Sequence, residues 1–352
     1  MPRCPVATDF EPERGSGVAA PVFVSASAAV KVLDWCAVID HLRAVYSRPL
    51  EAKAQPPRLV TQGSGARLRT LTAALPTDRI VGAKLMASSR LKRTAYLVVL
   101  FDQQEGGVIA LLDGNAITAC RTAATTALAL DCIVRPRAPR LGILGSGMEA
   151  RAHLLAFAAI RKPTEVRVFS PSPENRAAFA IEFTQRLGIP CRAVDSPAAV
   201  VDNADVLIAA ARSRDETPIF GGALLRPGMT VASVGSTLPE QREIDPETIA
   251  RSDLIIADEP AEVATKTGDF IAASRIGLSF ADKMASLNDL VRGRVADRLA
   301  EARLVLFKSI GAGVQDIAVA EFMLDRAVKT GLASELPLEL AIKRGTGEDR
   351  WF

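Results

Sequence analysis

An apolar strand pattern leads into a glycine turn at Arg140-Leu-Gly-Ile-Leu-Gly145-Ser146-Gly147-Met148-Glu149-Ala150. In such a turn the first glycine allows a tight bend, the second lets the backbone approach a phosphate, and a small third residue lets the helix pack closely on the sheet. A helix that begins here directs N–H groups and the positive end of its dipole at an anion. The stretch predicts dinucleotide binding at Gly145, Ser146, Gly147 and Met148, against the alternative of a glycine turn without a ligand.

The residues around this turn alternate between strand and helix patterns. Short apolar runs, typical of buried parallel strands, occur at 140–144, 165–169, 204–210, 230–234 and 254–257. Helical spacing occurs between them at 150–160, 173–187 and 197–201. The alternation predicts an α/β fold with a Rossmann-type doubly wound parallel sheet.

The rest of the chain follows another pattern. Helices are predicted at 27–46, 117–134 and 314–329. Strands are predicted at 68–72, 80–86, 95–101 and 108–112. Glu105-Gly106-Gly107 suits a hairpin turn between the last two strands. These patterns predict a region of mixed strands and helices outside the parallel sheet.

Composition excludes several classes of protein. The chain has 352 residues, and 43 Lys and Arg nearly balance 40 Asp and Glu, which excludes a dedicated nucleic-acid or membrane-surface binder. Two histidines exclude a His-rich metal site, and no metal is expected. Five cysteines without Cys-x-x-Cys spacing predict reduced thiols. Without a signal peptide or a long uninterrupted apolar run, we expect a cytoplasmic protein with a flexible leader at 1–20.

The end of the second parallel strand bears on the choice of dinucleotide. NAD-binding sheets carry an acidic residue there, which accepts hydrogen bonds from the ribose hydroxyls. This chain has Ser170 and Ser172 instead, with Arg176 one helical turn further on. Hydroxyls and a guanidinium suit a 2′-phosphate, so the sequence favours NADP(H) and leaves NAD(H) open. The alternative for Arg176 is a solvated helix residue.

Basic residues in apolar surroundings form a second candidate site. Lys84 and Arg121 each lie in an apolar segment, and Arg58 follows two prolines. Because a buried charge requires a partner, either an anionic ligand or distant acids such as Asp102 or Asp113 must face them. Arginine suits a bidentate grip on a carboxylate, whereas lysine also donates a proton at a carbonyl or imine.

Five ordered motifs resemble one family, the ornithine cyclodeaminase/μ-crystallin family. They are Gly82-Ala-Lys84, Leu111-Leu-Asp-Gly-Asn-Ala-Ile-Thr-Ala-Cys-Arg-Thr-Ala-Ala124, the Gly145-x-Gly147 turn, Val234-Gly-Ser-Thr-Leu-Pro-Glu-Gln-Arg-Glu-Ile-Asp245 and Phe307-Lys-Ser-Ile-Gly-Ala-Gly-Val-Gln-Asp316. The resemblance implies a homodimer in which residues 21–134 and 308–352 form a substrate-binding and dimerisation domain. It implies that the dinucleotide-binding domain, residues 135–307, is inserted between them.

The resemblance also implies roles for particular residues. Arg58, Lys84 and Arg121 would hold the substrate carboxylate beside the nicotinamide, with Lys84 and Arg121 catalytic. Further cofactor contacts are expected after the later strands, at Ala211, Ser213, Val234, Gly235, Ser309 and Gly311. Asp316 matches an acid at the start of the returning helix, for which a helix cap or a salt bridge is the ordinary role. His41 and His153 are expected to be structural.

The family covers several reactions that exchange a hydride at a carbon bearing nitrogen and a carboxylate. Thr237, a candidate substrate contact, stands where the cyclodeaminases carry a catalytic Asp, and threonine does not ionise near neutral pH. Glu240 is nearby. The basic run Ser88–Arg93, with Arg93 as the candidate ligand, suits a second carboxylate better than the ammonium of ornithine; the alternative is a solvated turn.

The sequence therefore predicts an NAD(P)H-dependent reductase of a small imino acid, or the reverse dehydrogenase. The alternatives are an ornithine or lysine cyclodeaminase that uses its cofactor catalytically, and a μ-crystallin-like protein that binds NADPH or a small ligand with little turnover.

Overall fold

The computed structural model describes residues 20–135, 138–213 and 215–338. The predicted leader, except Ala20, lies outside the described residues, as do Cys4, Arg214 and the end of the chain after Leu338. The other four cysteines are free thiols.

The first part of the chain forms a sheet flanked by helices. Its helices are α1 (Ala26–Val32), α2 (Trp35–Tyr46) and α3 (Gly114–Ile133). Its strands are β1 (Val22–Val24), β2 (Leu59–Gln62), β3 (Ala66–Ala74), β4 (Ile80–Ser89), β5 (Thr94–Asp102) and β6 (Val108–Asp113). Strands β2 to β6 run as an antiparallel meander, and β1 adds to β6 in parallel.

The single helix predicted at 27–46 is wrong in one respect, because the chain forms two helices there. Ser25 caps α1 by accepting a hydrogen bond from the Ala28 N–H at 3.2 Å. Asp34 then caps α2 by accepting from the Ala37 N–H at 3.1 Å, with its own backbone extended. An Asp side chain that competes for backbone N–H groups starts a new helix rather than continuing the old one.

The second part confirms the predicted doubly wound parallel sheet. Its strands are β7 (Arg140–Leu144), β8 (Glu165–Phe169), β9 (Cys191–Ala193), β10 (Val206–Ala209), β11 (Thr230–Ser233), β12 (Leu254–Ala257), β13 (Met284–Ser286) and β14 (Val305–Lys308). Its helices are α4 (Met148–Ile160), α5 (Pro173–Leu187), α6 (Pro197–Val201), α7 (Pro246–Arg251), α8 (Pro260–Lys266), α9 (Gly268–Arg275), α10 (Leu287–Val291) and α11 (Ala296–Glu301). Within the described residues all pairings of this sheet are parallel, in the order β13-β12-β14-β11-β10-β7-β8-β9.

The chain returns to the first sheet at its end. Helix α12 (Gly313–Lys329) packs against α2, α3 and strands β3 to β5, and β15 (Ser334–Glu335) pairs with β1. Helix α3 packs on α4 of the second part, so one hydrophobic core extends through both parts, and a second core lies within the parallel-sheet part. By length and composition α3 is apolar enough to cross a membrane, but it is mostly buried inside the protein and is a core helix.

Gly82 tests how tightly α12 packs on the first sheet. A Cβ at this position would lie 2.6 Å from the Val99 carbonyl oxygen and 2.9 Å from Ile317 Cδ1. We expect Gly82→Ala to lower the free energy of unfolding by about 1–3 kcal/mol, because β4 and α12 must move apart. Gly65→Ala is the matched control, since a Cβ at residue 65 would have no neighbouring atom within 4 Å. Chemical denaturation measures both, and equal effects would contradict the packing argument.

Candidate active site

A crevice forms where the strand order of the parallel sheet reverses. From β7 the chain adds β8 and β9 on one side and then crosses to place β10 on the other side of β7. The carboxyl ends of parallel strands share one edge of a sheet, and ligands bind at such a switch point. The predicted cofactor residues lie in the loops that leave this edge, after β7, β8, β10, β11 and β14.

The glycine turn after β7 has the predicted shape. Gly145 has φ +116°, and its N–H donates to the Phe169 carbonyl at 2.8 Å, which ties the turn to the end of β8. Gly147 is the N-cap of α4 and provides no side-chain cap, so the first N–H groups of α4 are open to a ligand. Met148 begins the helix and is largely exposed. This arrangement suits a pyrophosphate.

The residues predicted to read the 2′-phosphate have protein partners. Ser146 donates to the buried Ser170 hydroxyl at 2.8 Å, and Ser172 caps α5 by accepting from the Asn175 N–H. Arg176 lies 5.4 Å from the centre of the Phe169 ring. Its guanidinium contacts Asp195, a fully exposed side chain, at 2.6 Å.

A buried carboxyl group joins the two loops after β10 and β11. Glu243 accepts hydrogen bonds from the Ala211 N–H at 3.0 Å, the Gly235 N–H at 2.9 Å and the Ser233 hydroxyl. Burial raises the pKa of Glu243 to about 7, against the opposing effect of Lys308. Glu243 therefore positions the backbone at two of the predicted cofactor contacts.

The same loops have further partners. The Ser213 N–H donates to the Arg242 carbonyl at 2.9 Å, and the Val234 N–H to the Ala209 carbonyl at 3.0 Å. Beneath them, Lys308 Nζ lies 2.7 Å from Asp269 Oδ2, with both side chains fully buried.

A second buried carboxylate shapes the loop after β14. Asp258 accepts from the Ser309 hydroxyl at 2.7 Å and from the N–H groups of Ile310 and Gly311 at 2.9 and 2.8 Å. The Gln315 side chain also donates to Asp258, at 3.1 Å. These bonds fix the direction in which the chain leaves the parallel sheet and enters α12.

Lys84 and Arg121 meet at Asp316, in the first turn of α12. Lys84 Nζ lies 2.7 Å and Arg121 Nε 2.9 Å from the same oxygen, Asp316 Oδ1. Arg121 Nη1 also donates to Gln315 Oε1 at 3.1 Å. The partner is thus Asp316, and Asp102 and Asp113, the acids named from the sequence, do not fill this place; Asp102 binds a turn and Asp113 caps α3.

One oxygen of this cluster has no hydrogen-bond donor among the described residues. Burial lowers the pKa of Lys84 to about 8, although the neighbouring Asp316 opposes the shift. Asp316 Oδ2 is buried, and among the described residues no group donates to it. The Arg121 guanidinium lies against Gly311, so the cluster adjoins the loop after β14 and the edge that carries the cofactor residues.

Arg58 lies beside this loop but has its own partners. Its Nη2 is 2.6 Å from Glu262 Oε2 and 2.7 Å from the Gly311 carbonyl oxygen. Glu259 lines the same small cavity as Arg58, and burial raises the pKa of Glu259 to about 8. Arg58 therefore joins β2 to α8 and to the loop after β14.

Thr237 and Arg93, two other predicted substrate contacts, form no hydrogen bond with Lys84 within the described residues. Thr237 is half-buried, and its N–H donates to Gln241 Oε1 at 3.0 Å. Arg93 is exposed in the turn between β4 and β5, where its carbonyl accepts from the Ser89 N–H. Ser89 is five strand residues from Lys84, or about 17 Å along β4. Glu240 is exposed.

Sequence reasoning missed the buried acids that organise the site: Glu243, Asp258, Glu262 and Asp269. Glu243 lies inside the motif that ends at Asp245, but its neighbours Gln241, Arg242 and Asp245 are polar or charged, so no local pattern marked it as a buried residue. The other three lie in a segment where no strand or helix was predicted beyond residue 257. Their partners are far away in sequence, as for Arg58 and Glu262.

Fold and site together define a dinucleotide-binding protein of the Rossmann type with a second, mixed sheet. Residues 30–331 match the ornithine cyclodeaminase/mu-crystallin family. The chain belongs to this family.

Several named relatives of the chain are imino-acid reductases. It is 28% identical over 278 residues to a Delta(1)-pyrroline-2-carboxylate reductase of Bacillus cereus, covering 79% of this chain and 82% of the relative. It is 32% identical over 228 residues to ketimine reductase mu-crystallin of Mus musculus, covering 65% and 68%. The solved structure of Thermococcus litoralis Delta(1)-pyrroline-2-carboxylate reductase in complex with NADH and L-proline superposes with a TM-score of 0.81 at 25% identity, covering 90% of this chain and all of that one.

Replacing Asp316 tests the buried cluster. We expect Asp316→Asn to lower the free energy of unfolding by about 3–5 kcal/mol, because it leaves Lys84 and Arg121 without a carboxylate in the interior. Asp325→Asn is the matched control on the same helix, since Asp325 binds the half-exposed Arg79 at the surface. We expect the control to cost less than about 1 kcal/mol. If urea denaturation shows similar losses of stability in both variants, the buried cluster contributes no more than a surface ion pair.

Proposed function

We propose that the protein is an NAD(P)H-dependent reductase that converts a small imino acid to the corresponding amino acid, and that it catalyses the reverse dehydrogenation. The observation that carries this proposal is the convergence of Lys84 and Arg121 on Asp316, beside the loop after β14. A cationic pair at this place suits a carboxylate held next to the reacting carbon. The curated relatives that act on pyrroline-2-carboxylate and ketimines support the same class of reaction.

Each side chain of the cluster has a distinct part in the proposal. A reduced nicotinamide held by the loops after β7, β8, β10, β11 and β14 would supply the hydride for the imine carbon. Lys84 donates a proton to the imine nitrogen, so that hydride and proton together reduce the C=N bond. Arg121 binds the substrate carboxylate through Nη2, which makes no hydrogen bond within the described residues. Asp316 orients both cations, and its free Oδ2 accepts from the N–H of the product amine.

Arg58 has a supporting part. Its bonds to Glu262 and to the Gly311 carbonyl hold the loop after β14 in place. Direct contact with the substrate, as predicted from the family, requires Arg58 to exchange one of these bonds.

The pH dependence of Lys84 tests its part as the proton donor. A lysine that donates a proton must be protonated, so kcat/KM for imine reduction should fall as pH rises through about 8, the lowered pKa of Lys84. Lys84→Met should lower kcat/KM about 10²–10⁴-fold. Binding of NADPH, measured by fluorescence titration, should stay unchanged in this variant.

Glu259 provides the matched control, because its pKa is also about 8. Glu259→Gln should keep the fall of kcat/KM above pH 8. If Glu259→Gln removes this fall and Lys84→Met keeps it, the proton comes from Glu259 and the assignment to Lys84 is wrong.

We propose further that the cofactor is NADP(H), with NAD(H) as the alternative. Within the loop after β8, Arg176 can exchange its exposed partner Asp195 for a 2′-phosphate at small cost, since exposed ion pairs contribute little.

Arg176→Ala tests the cofactor preference. We expect the KM for NADPH to rise about 10–100-fold, because one or two charge-assisted hydrogen bonds to the 2′-phosphate are lost. The KM for NADH should stay within about twofold. Asp195→Asn is the control, and it should leave the KM for NADPH unchanged or lower it. Equal changes for both cofactors in Arg176→Ala would refute a role for Arg176 in reading the 2′-phosphate.

Cyclodeamination of ornithine or lysine is the second reaction of this family that an assay must separate. Thr237 offers no ionisable group, and Glu240 is exposed. Proline or pipecolate formation without net change in NAD(P)H would identify that reaction. The homodimer, the domain boundaries and the cytoplasmic location stay predictions.

A further inference from the structure

More arginines lie on the sheet face that carries Lys84. In the ladder between β3 and β4, Leu71 is paired with Lys84, and Arg69 is paired with Met86. Side chains two residues apart on a strand project from the same face, so Arg69 lies outward from Lys84 by two positions, about 7 Å. Arg67 follows two positions further on the same face.

Arg69 differs from the other cations of the site because no carboxylate among the described residues contacts it. It is half-buried, and its Nε is shielded from solvent without a hydrogen-bond acceptor. Nowhere in the described part of the chain does a carboxylate form an ion pair with it. Burial and the nearby Arg58 and Arg67 lower the pKa of Arg69 to about 10, so it still carries its charge near neutral pH. By contrast, Lys84, Arg121 and Arg58 each contact a carboxylate.

The acids in the neighbourhood are already engaged. Glu262 contacts both Arg58 and Lys266. Glu259, with its pKa raised to about 8, is mostly protonated near neutral pH. The outer part of this face therefore carries uncompensated positive charge, which an anionic group from outside would neutralise.

We propose that Arg69 binds the second carboxylate of a dicarboxylic imino acid, whose first carboxylate lies at Lys84 and Arg121. This inference rests on the proposed function and names its substrate class. The two strand positions are offset by about 7 Å along the strands, and the long side chains of Lys84 and Arg69 let their donors face the two ends of a four- or five-carbon dicarboxylate. A side-chain ammonium at the same place would face Arg69 and Arg67.

This assignment moves the second carboxylate away from the turn predicted from sequence. Arg93 lies at the far end of the β4–β5 hairpin, whereas Arg69 lies between that end and Lys84. Among Arg67, Arg69 and Arg93, Arg69 therefore occupies the strand position nearest to Lys84.

Substrate comparison with an Arg69 variant tests the inference. The assay follows oxidation of NADPH, and of NADH in parallel, with ammonia plus oxaloacetate or 2-oxoglutarate as sources of dicarboxylic imines, and with ammonia plus pyruvate as the monocarboxylic source. We expect the wild type to favour the dicarboxylic imines. Arg69→Gln should lower kcat/KM for them about 10–100-fold, mainly through KM, and change the value for the pyruvate imine less than about threefold.

Two further variants distinguish a direct contact between Arg69 and the second carboxylate from a general effect of positive charge. Arg69→Lys keeps the charge and should recover part of the lost kcat/KM. Arg90→Gln removes one positive charge from the exposed hairpin turn of the same sheet and should change kcat/KM less than about twofold for either class. If Arg90→Gln is as harmful as Arg69→Gln, or if Arg69→Gln harms both substrate classes equally, the proposal is overturned.

Binding without turnover separates this inference from the proposed function. Calorimetry with L-aspartate and L-alanine should show tighter binding of L-aspartate to the wild type, and this preference should be lost in Arg69→Gln. A protein that reduces only the pyruvate imine keeps the proposed function and overturns the dicarboxylate site. A protein that reduces no imine but binds L-aspartate through Arg69 keeps the site and loses the proposed function.

Discussion

A single carboxylate, that of Asp316, holds together the three elements of the site. It accepts from Lys84 on β4 and from Arg121 on α3, and it lies itself on α12. Two cations in the interior need this anion, because an unpaired buried charge costs several kcal/mol. The start of α12 is thereby fixed relative to the first sheet. Since α12 follows directly from the last strand paired in the parallel sheet, the same carboxylate also fixes how the two sheets meet.

Buried acids play a corresponding part at the edge of the parallel sheet. Glu243 holds the loops after β10 and β11, and Asp258 holds the loop after β14. Each accepts backbone N–H groups that have no partner within a strand or helix, which a carboxylate does well in a dry environment. Buried carboxylates therefore hold the loops that would surround a nicotinamide from the protein interior, and the outer surface of these loops would contact the ligand.

The sequence predicted those features that depend on neighbouring residues. The strand at 165–169 and the helix at 173–187 have the bounds found in the structure, because an apolar run and a proline after an N-cap serine are local signals. The break between α1 and α2 was missed, although Asp34 was a local signal for it. Strands β1 and β15 were also missed; they are two or three residues long and exist through their pairing partners.

In the candidate site too, the sequence predicted local features and missed contacts between distant residues. Lys84 and Arg121 were recognised because a charge in an apolar run needs an explanation, but their shared partner is about two hundred positions away. The same distance hid the pairing of Arg58 with Glu262. An ion pair of this kind leaves no periodicity in the sequence, and its geometry follows only from the folded chain. The unpaired state of Arg69 is likewise a property of the fold, since it depends on which acids the fold has already used.

The near absence of histidine gains a physical meaning from this arrangement. His153 is buried, its pKa is lowered by burial, and it bonds to Thr126 and to the Glu149 carbonyl; His41 contacts Glu321. Neither has Lys84 or Asp316 as a partner. Burial brings the pKa of Lys84 down to about 8, into the range where a side chain exchanges protons near neutral pH. At neutral pH most of the Lys84 side chains are still protonated and attract a carboxylate. For a substrate that carries an imine next to a carboxylate, Lys84 can therefore both bind the carboxylate and donate a proton to the imine nitrogen.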